Sequence, residues 1–152
     1  MDRKELGREA FVKGYNCCQS VVLAFKNDLP LSEDVLISLT TGFGAGFART
    51  RNICGTISAM AIVTGLLTNK VQDVKKDKDD SYALLQGLIK EFTEKNDTII
   101  CGELLKNLSV TKTPISEKRD EKYYKVRPCV RFVEDSIDIL ERYLLENGLI
   151  NE

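Results

Sequence analysis

"ICGTISAMAIVTGLLTN", residues 53–69, is apolar nearly all round. Its most apolar part, Ile53 to Leu67, carries Thr56, Ser58 and Thr64 and falls short of the ~18–20 residues a membrane span needs. It therefore reads as a buried helix. Gly55, Ser58, Ala59, Ala61 and Gly65 are small enough to let neighbouring backbones approach closely. We take this stretch, from Cys54 to about Asn69, as the central helix and read outward from it.

Helical periodicity dominates on both sides and no alternating strand pattern appears. The expectation is an all-α bundle, one domain over residues 1–152, of about six to seven helices. A first helix covers Arg3 to Val12 and is broken at Gly14. Asn16 is a good N-cap for a second helix carrying Val21, Val22, Phe25 and Leu29, ended by Pro30. Ser32 caps a third, "EDVLISLTT", and the glycine-rich "GFGAGFARTRN" then leads into the central helix. "KVQDVKKDKDD" balances its lysines with aspartates and reads as a solvated linker. A fifth helix spans Ser81 to Lys95, and a short sixth starts near Cys101. Residues 109–127 are polar and read as a solvated loop. Pro128 opens a final helix with Val130, Val133, Ile137, Leu140 and Leu144 on one stripe, ended by Gly148.

The composition removes several functions. The chain has 152 residues, 43% hydrophobic and 30% charged, with a formal net charge of −1, so no overall field draws it to nucleic acid or a membrane. It contains no histidine, which excludes imidazole-based hydrolysis and histidine-ligated metal sites. "MDRKELGREAFVKG" has no signal-peptide core, and a cytoplasmic protein is expected. There, cysteines more often bind metal or perform redox chemistry than form structural disulfides. Their number, five, is odd.

Once the helices are placed, four of the five fall at helix N-termini: Cys17, Cys54, Cys101 and Cys129. A first turn offers unpaired N–H groups and the positive end of the macrodipole. A thiolate there is stabilised, so its pKa is expected below the free value of about 8.5, and Arg49 and Arg51 push Cys54 the same way. Cys18 differs. With Val22, Phe25 and Leu29 it recurs at intervals of four, three and four, an apolar face, so periodicity assigns it to packing. No Cys-x-x-Cys pair exists, so ligands have to be gathered from across the fold.

The stretches "GYNCCQSVVLAF", "GFGAGFARTRNICGTISAMAIVTGL", "CGELL" and "PCVRFVEDSIDIL" occur in an order that resembles the redox-active protein family named for its C_GCAxxG_C_C cysteine pattern. The resemblance implies four functional cysteines, Cys17, Cys54, Cys101 and Cys129, as redox groups or metal ligands. It also implies an iron–sulfur cluster, which a related domain of a multi-haem cytochrome is thought to hold. The chain departs from the pattern at Cys18, where a small residue is usual, and at Thr56 and Ala59, where alanine and glycine are usual. Three readings stay open: an electron-transfer protein with a cluster of the two-iron type, a metal-free dithiol oxidoreductase, and a four-cysteine zinc site in a helical interaction module. Whether the chain is an enzyme is left undecided.

Gly44, Gly46 and Gly55 are the candidate cofactor-facing glycines, since small residues beside Cys54 bring backbone N–H groups close to sulfur. "GFGAGF" lacks the preceding strand and spacing of a dinucleotide fingerprint. Tyr123 and Tyr124 lie in a short stretch of mixed charge, a poor nucleic-acid site. The partner expected is an unidentified redox protein, with self-association left open.

Overall fold

The computed structural model describes residues 2–152, and among these it is helical with no strand. Eight α-helices follow in order: α1 Arg3–Val12, α2 Cys17–Ala24, α3 Glu33–Thr40, α4 Gly55–Thr68, α5 Val74–Asn96, α6 Cys101–Leu104, α7 Glu121–Val126 and α8 Cys129–Glu146. A 3-10 turn, Thr41–Phe43, follows α3.

Local chemistry sets the helix starts. Asp2 accepts from the Glu5 N–H at 2.7 Å and opens α1. Asn16 and Gln19 form a reciprocal capping box at 2.9 and 3.0 Å, which places Cys17 as the first residue of α2. Ser32 caps α3 and Asp120 caps α7 with the side chain alone, accepting from the Val35 and Tyr123 N–H groups.

The core is organised about α2 and α4. Every α2 residue from Cys18 to Ala24 is buried, and the helix packs against α1, α3, α4 and α8. The inner face of α4, with Ile57, Ala59, Met60 and Val63, lies against α2, α5 and α8. Helix α8 closes the bundle with Phe132, Val133, Ile137, Leu140 and Leu144. No helix among the described residues is long and apolar enough to cross a membrane.

Three expectations are corrected. Helix α2 ends at Ala24 rather than running to Leu29. Phe25, Lys26 and Asp28 donate three residues back, which tightens the chain into turns, and Leu29 is buried from outside the helix. The lysine–aspartate stretch is not wholly linker, because α5 starts at Val74. Asp73 caps it, and Lys75–Asp79 and Lys76–Asp80 pair at 2.5 and 2.7 Å. This turn is exposed apart from the half-buried Asp77, so its stability is local and leaves no hydrophobic period. The polar 109–127 segment likewise contains α7. Arg119, just before its cap, donates to the carbonyls of Phe11 and Tyr15 at 2.8 and 2.9 Å and stacks on Phe11.

Candidate functional site

Four helix starts meet at one place. Cys17 opens α2, Cys54 is the N-cap residue of α4, Cys101 opens α6, and Cys129 follows Pro128 at the start of α8. Together with Gly46, Gly55, Leu104, Leu105 and Phe132 they line a cavity of about 20 Å³, room for one water-sized group. Cys54, Cys101 and Cys129 are buried and Cys17 is partly exposed.

The segments that carry the thiols are tied together locally. A lone antiparallel bridge, Ile53 with Ile100, ties the chain before α4 to the chain before α6. Its bonds run from the Cys54 N–H to Ile99 O at 2.7 Å and from the Cys101 N–H to Asn52 O at 2.6 Å. The alternation of an antiparallel ladder puts Cys54 and Cys101 on one face. Cys17 and Cys129 lie close together, each exerting the largest influence on the other's acidity.

The loop before Cys54 is wound in an unusual way. Ala45, Gly46, Phe47, Ala48 and Arg49 all have positive φ, as does Arg51. For residues with a Cβ this conformation costs about 1–2 kcal/mol each, so surrounding bonds must hold it. The Arg51 and Asn52 N–H groups bond back to Ala45 O and Gly46 O at 3.1 and 2.8 Å. At Gly46 an added Cβ would lie 2.5 Å from the Asn52 nitrogen, and at Gly55 it would lie 3.0 Å from that of Cys18. These two glycines let the loop and the start of α4 close over the thiols. Gly44 does not line the cysteine cavity; it lies against the Asn16 side chain.

Electrostatics separate the four sulfurs. Burial pushes Cys54 up to about 11, against its 3.2 Å contact with the Thr56 hydroxyl. Burial also raises Cys101, although Arg51 Nη1 donates to its sulfur at 3.7 Å. Cys17 is held well above its usual range by donating to Cys129 and by burial. Cys129 alone is lowered, to about 7, by the Cys17 hydrogen bond and by Arg127 and Arg119. The expectation that every helix N-terminus lowers its thiol is thus corrected: desolvation raises Cys54 and Cys101, and at Cys17 the interaction with Cys129 does so together with burial. Arg51 serves Cys101 rather than Cys54, and Arg49 donates to Thr113 O at 2.6 Å. Cys18 is fully buried in the core and off the cavity, its thiol pushed up to about 12 by burial.

Sequence reasoning placed Tyr123 in a solvated loop and passed over Arg119 and Arg127, which lower the Cys129 thiol, and Glu117, which pairs with Arg127 at 2.5 Å and Arg51 at 3.1 Å. The available signal was Arg127, two residues ahead of a helix-start cysteine just as Arg49 and Arg51 precede Cys54. No three His, Cys, Asp or Glu side chains among the described residues are grouped so as to hold a single metal ion.

An all-helical protein that gathers four free thiols from four helix starts belongs to the cysteine-motif redox class. The chain is a member of the family described as "Putative redox-active protein (C_GCAxxG_C_C)", whose model matches residues 15–143. It is similar to an uncharacterized protein of Archaeoglobus fulgidus, 27% identical over 133 residues, covering 82% of this chain and 81% of that one. No solved structure matches.

Proposed function

We propose that the chain is a small electron-transfer protein in which Cys17, Cys54, Cys101 and Cys129 hold an iron–sulfur cluster of the two-iron type. The observation that carries this reading is the convergence of four thiols from four helix starts on one cavity. Four thiolates suffice to hold such a cluster. The donor set fits in kind: soft sulfur, with Arg51 and Arg127 to offset thiolate charge. A cavity of about 20 Å³ is smaller than such a group, so loading requires the thiols to turn apart. When bound, the cluster supplies one-electron transfer.

The chain's own residues keep the site dry and set its charge. Leu104, Leu105 and Phe132 wall the cavity, and Arg51 donates to the Cys101 sulfur. Burial keeps most of the thiols protonated at neutral pH without metal, so loading releases protons. The redox partner would be a second protein, within a reducing cytoplasm.

Anaerobic purification followed by iron, acid-labile sulfide and visible-spectrum measurements tests this. About two irons and two sulfides per chain are expected, with loss of both in Cys17→Ala and Cys129→Ala. A colourless protein that takes up no iron on reconstitution overturns it.

A second reading rests on the proximity of Cys17 and Cys129, each the largest influence on the other's acidity. The Cys129 thiolate would attack one sulfur of a substrate disulfide and release the other as a thiol. Cys17, deprotonated, would then displace the second thiol, leaving a Cys17–Cys129 disulfide. Oxidation of iron-free protein to that single disulfide, reversed by dithiothreitol, would support it.

A further inference from the structure

Beside the cysteine cavity lies a separate open groove of about 650 Å³, within the size range of small-molecule sites. Its walls are the left-handed loop at 44–51 and the segment 114–127, which meets it from the far end of the chain. Four of the chain's eight arginines line it, Arg49, Arg51, Arg119 and Arg127, against one carboxylate, Glu117. In a chain of net charge −1 this is a local excess of three positive charges.

Glu117 is shared. Its Oε2 accepts from Arg127 and its Oε1 from Arg51, and Arg49 Nη1 lies 3.7 Å from Oε1. The side chains of Arg51 and Arg127 are only 5% and 7% exposed, so one carboxylate balances two buried guanidiniums and a third nearby. Arg119 directs Nη1 to the Phe11 and Tyr15 carbonyls; its Nε and Nη2 have no acceptor among the described residues. Guanidinium forks of this kind match carboxylate and phosphate oxygens bidentately. Arg51 and Arg127, which line the groove, also act on the thiols: Arg51 donates to the Cys101 sulfur and Arg127 helps to hold the Cys129 thiol low.

We propose that this groove binds a small organic polyanion, carrying phosphate or carboxylate groups, one side chain away from the thiols. Glu117 occupies part of the anion site from within and competes with the ligand. The proposal stands apart from the cluster reading, since groove binding requires no metal.

The test is isothermal titration calorimetry on the anaerobically purified full chain, with pyrophosphate in one arm and citrate in the other, and iron measured in the same samples. We expect saturable one-site binding that weakens with salt. Arg49→Gln should weaken it at least about tenfold. Glu117→Gln, which removes the internal competitor, should strengthen it, and Lys75→Gln on the far surface should leave it unchanged. Tighter binding of pyrophosphate assigns a phosphate ligand; the reverse assigns a carboxylate. Absence of saturation in both arms overturns the proposal, as does an affinity that falls equally with Lys75→Gln or that drops in Glu117→Gln. Binding by an iron-free sample supports the groove while counting against the cluster, and an iron-loaded sample without binding overturns the groove alone.

Discussion

Replacing Gly46 by alanine probes the loop that seals the cysteine cavity. At φ +74 the added Cβ meets the Asn52 nitrogen at 2.5 Å and the Arg51 carbonyl carbon and Cα at 2.6 Å. These are backbone atoms fixed by the bonds back to Ala45 O and Gly46 O, so no side-chain rotation relieves the contact. The left-handed conformation costs about 1–2 kcal/mol for a residue with a Cβ. Forced displacement of packed backbone costs about 1–3 kcal/mol more. The sum, about 2–5 kcal/mol, corresponds to a Tm fall of roughly 6–15 °C in a domain of this size. Gly42 is the internal control, because its Cβ would meet nothing within 4 Å and its φ is not positive. Thermal unfolding followed by circular dichroism, together with the rate at which a disulfide reagent reaches Cys54 and Cys101, reads both consequences. Gly46→Ala should lower Tm and speed thiol labelling, and Gly42→Ala should do neither. Equal behaviour of the two variants would refute the argument that backbone contact, rather than glycine content, holds the loop.

In metal-free reduced protein, Cys129 should be the first thiol alkylated, its rate rising as pH climbs through about 7. Below that pH its thiolate is lost, and with it the stability gained from a depressed pKa. Peptide mapping of iodoacetamide adducts against pH checks this, and a midpoint no lower than that of Cys54 would count against it. Cys18→Ala should cost about 1 kcal/mol as a small core change and leave iron binding or thiol cycling intact. Cys17→Ala should abolish those properties while keeping the helical circular dichroism spectrum; the opposite pattern would reverse the two roles.

Features governed by short-range chemistry were legible in the sequence. Asn16 caps α2 through its own side chain, so the placement of Cys17 and Cys18 could be read from neighbours within a few residues. The same holds for Ser32 and for the break at Gly148, where φ is +66. The first turns of α5 were not legible, because ion pairs and a cap, with no buried face, hold them. Thiol acidity was also hidden. The dipole at a helix start is local, but desolvation depends on what else covers the sulfur, and at Cys54 the covering groups come from α6 and α8. The arginine-lined groove needed two segments about 70 residues apart to meet, and neither shows an anion site alone.

The order in which the thiols enter the chain has a consequence for synthesis. Cys17 and Cys129 stand 112 residues apart, and α8, which begins at Cys129, also closes the hydrophobic bundle. Synthesis therefore produces Cys17 and Cys54 well before Cys129. During that interval the bridge at Ile53 and Ile100 can align Cys54 with Cys101, yet Cys17 has no partner sulfur and no covering helix. Assembly of the complete pocket therefore waits for α8, and until then the growing chain depends on its surroundings to keep its sulfurs reduced.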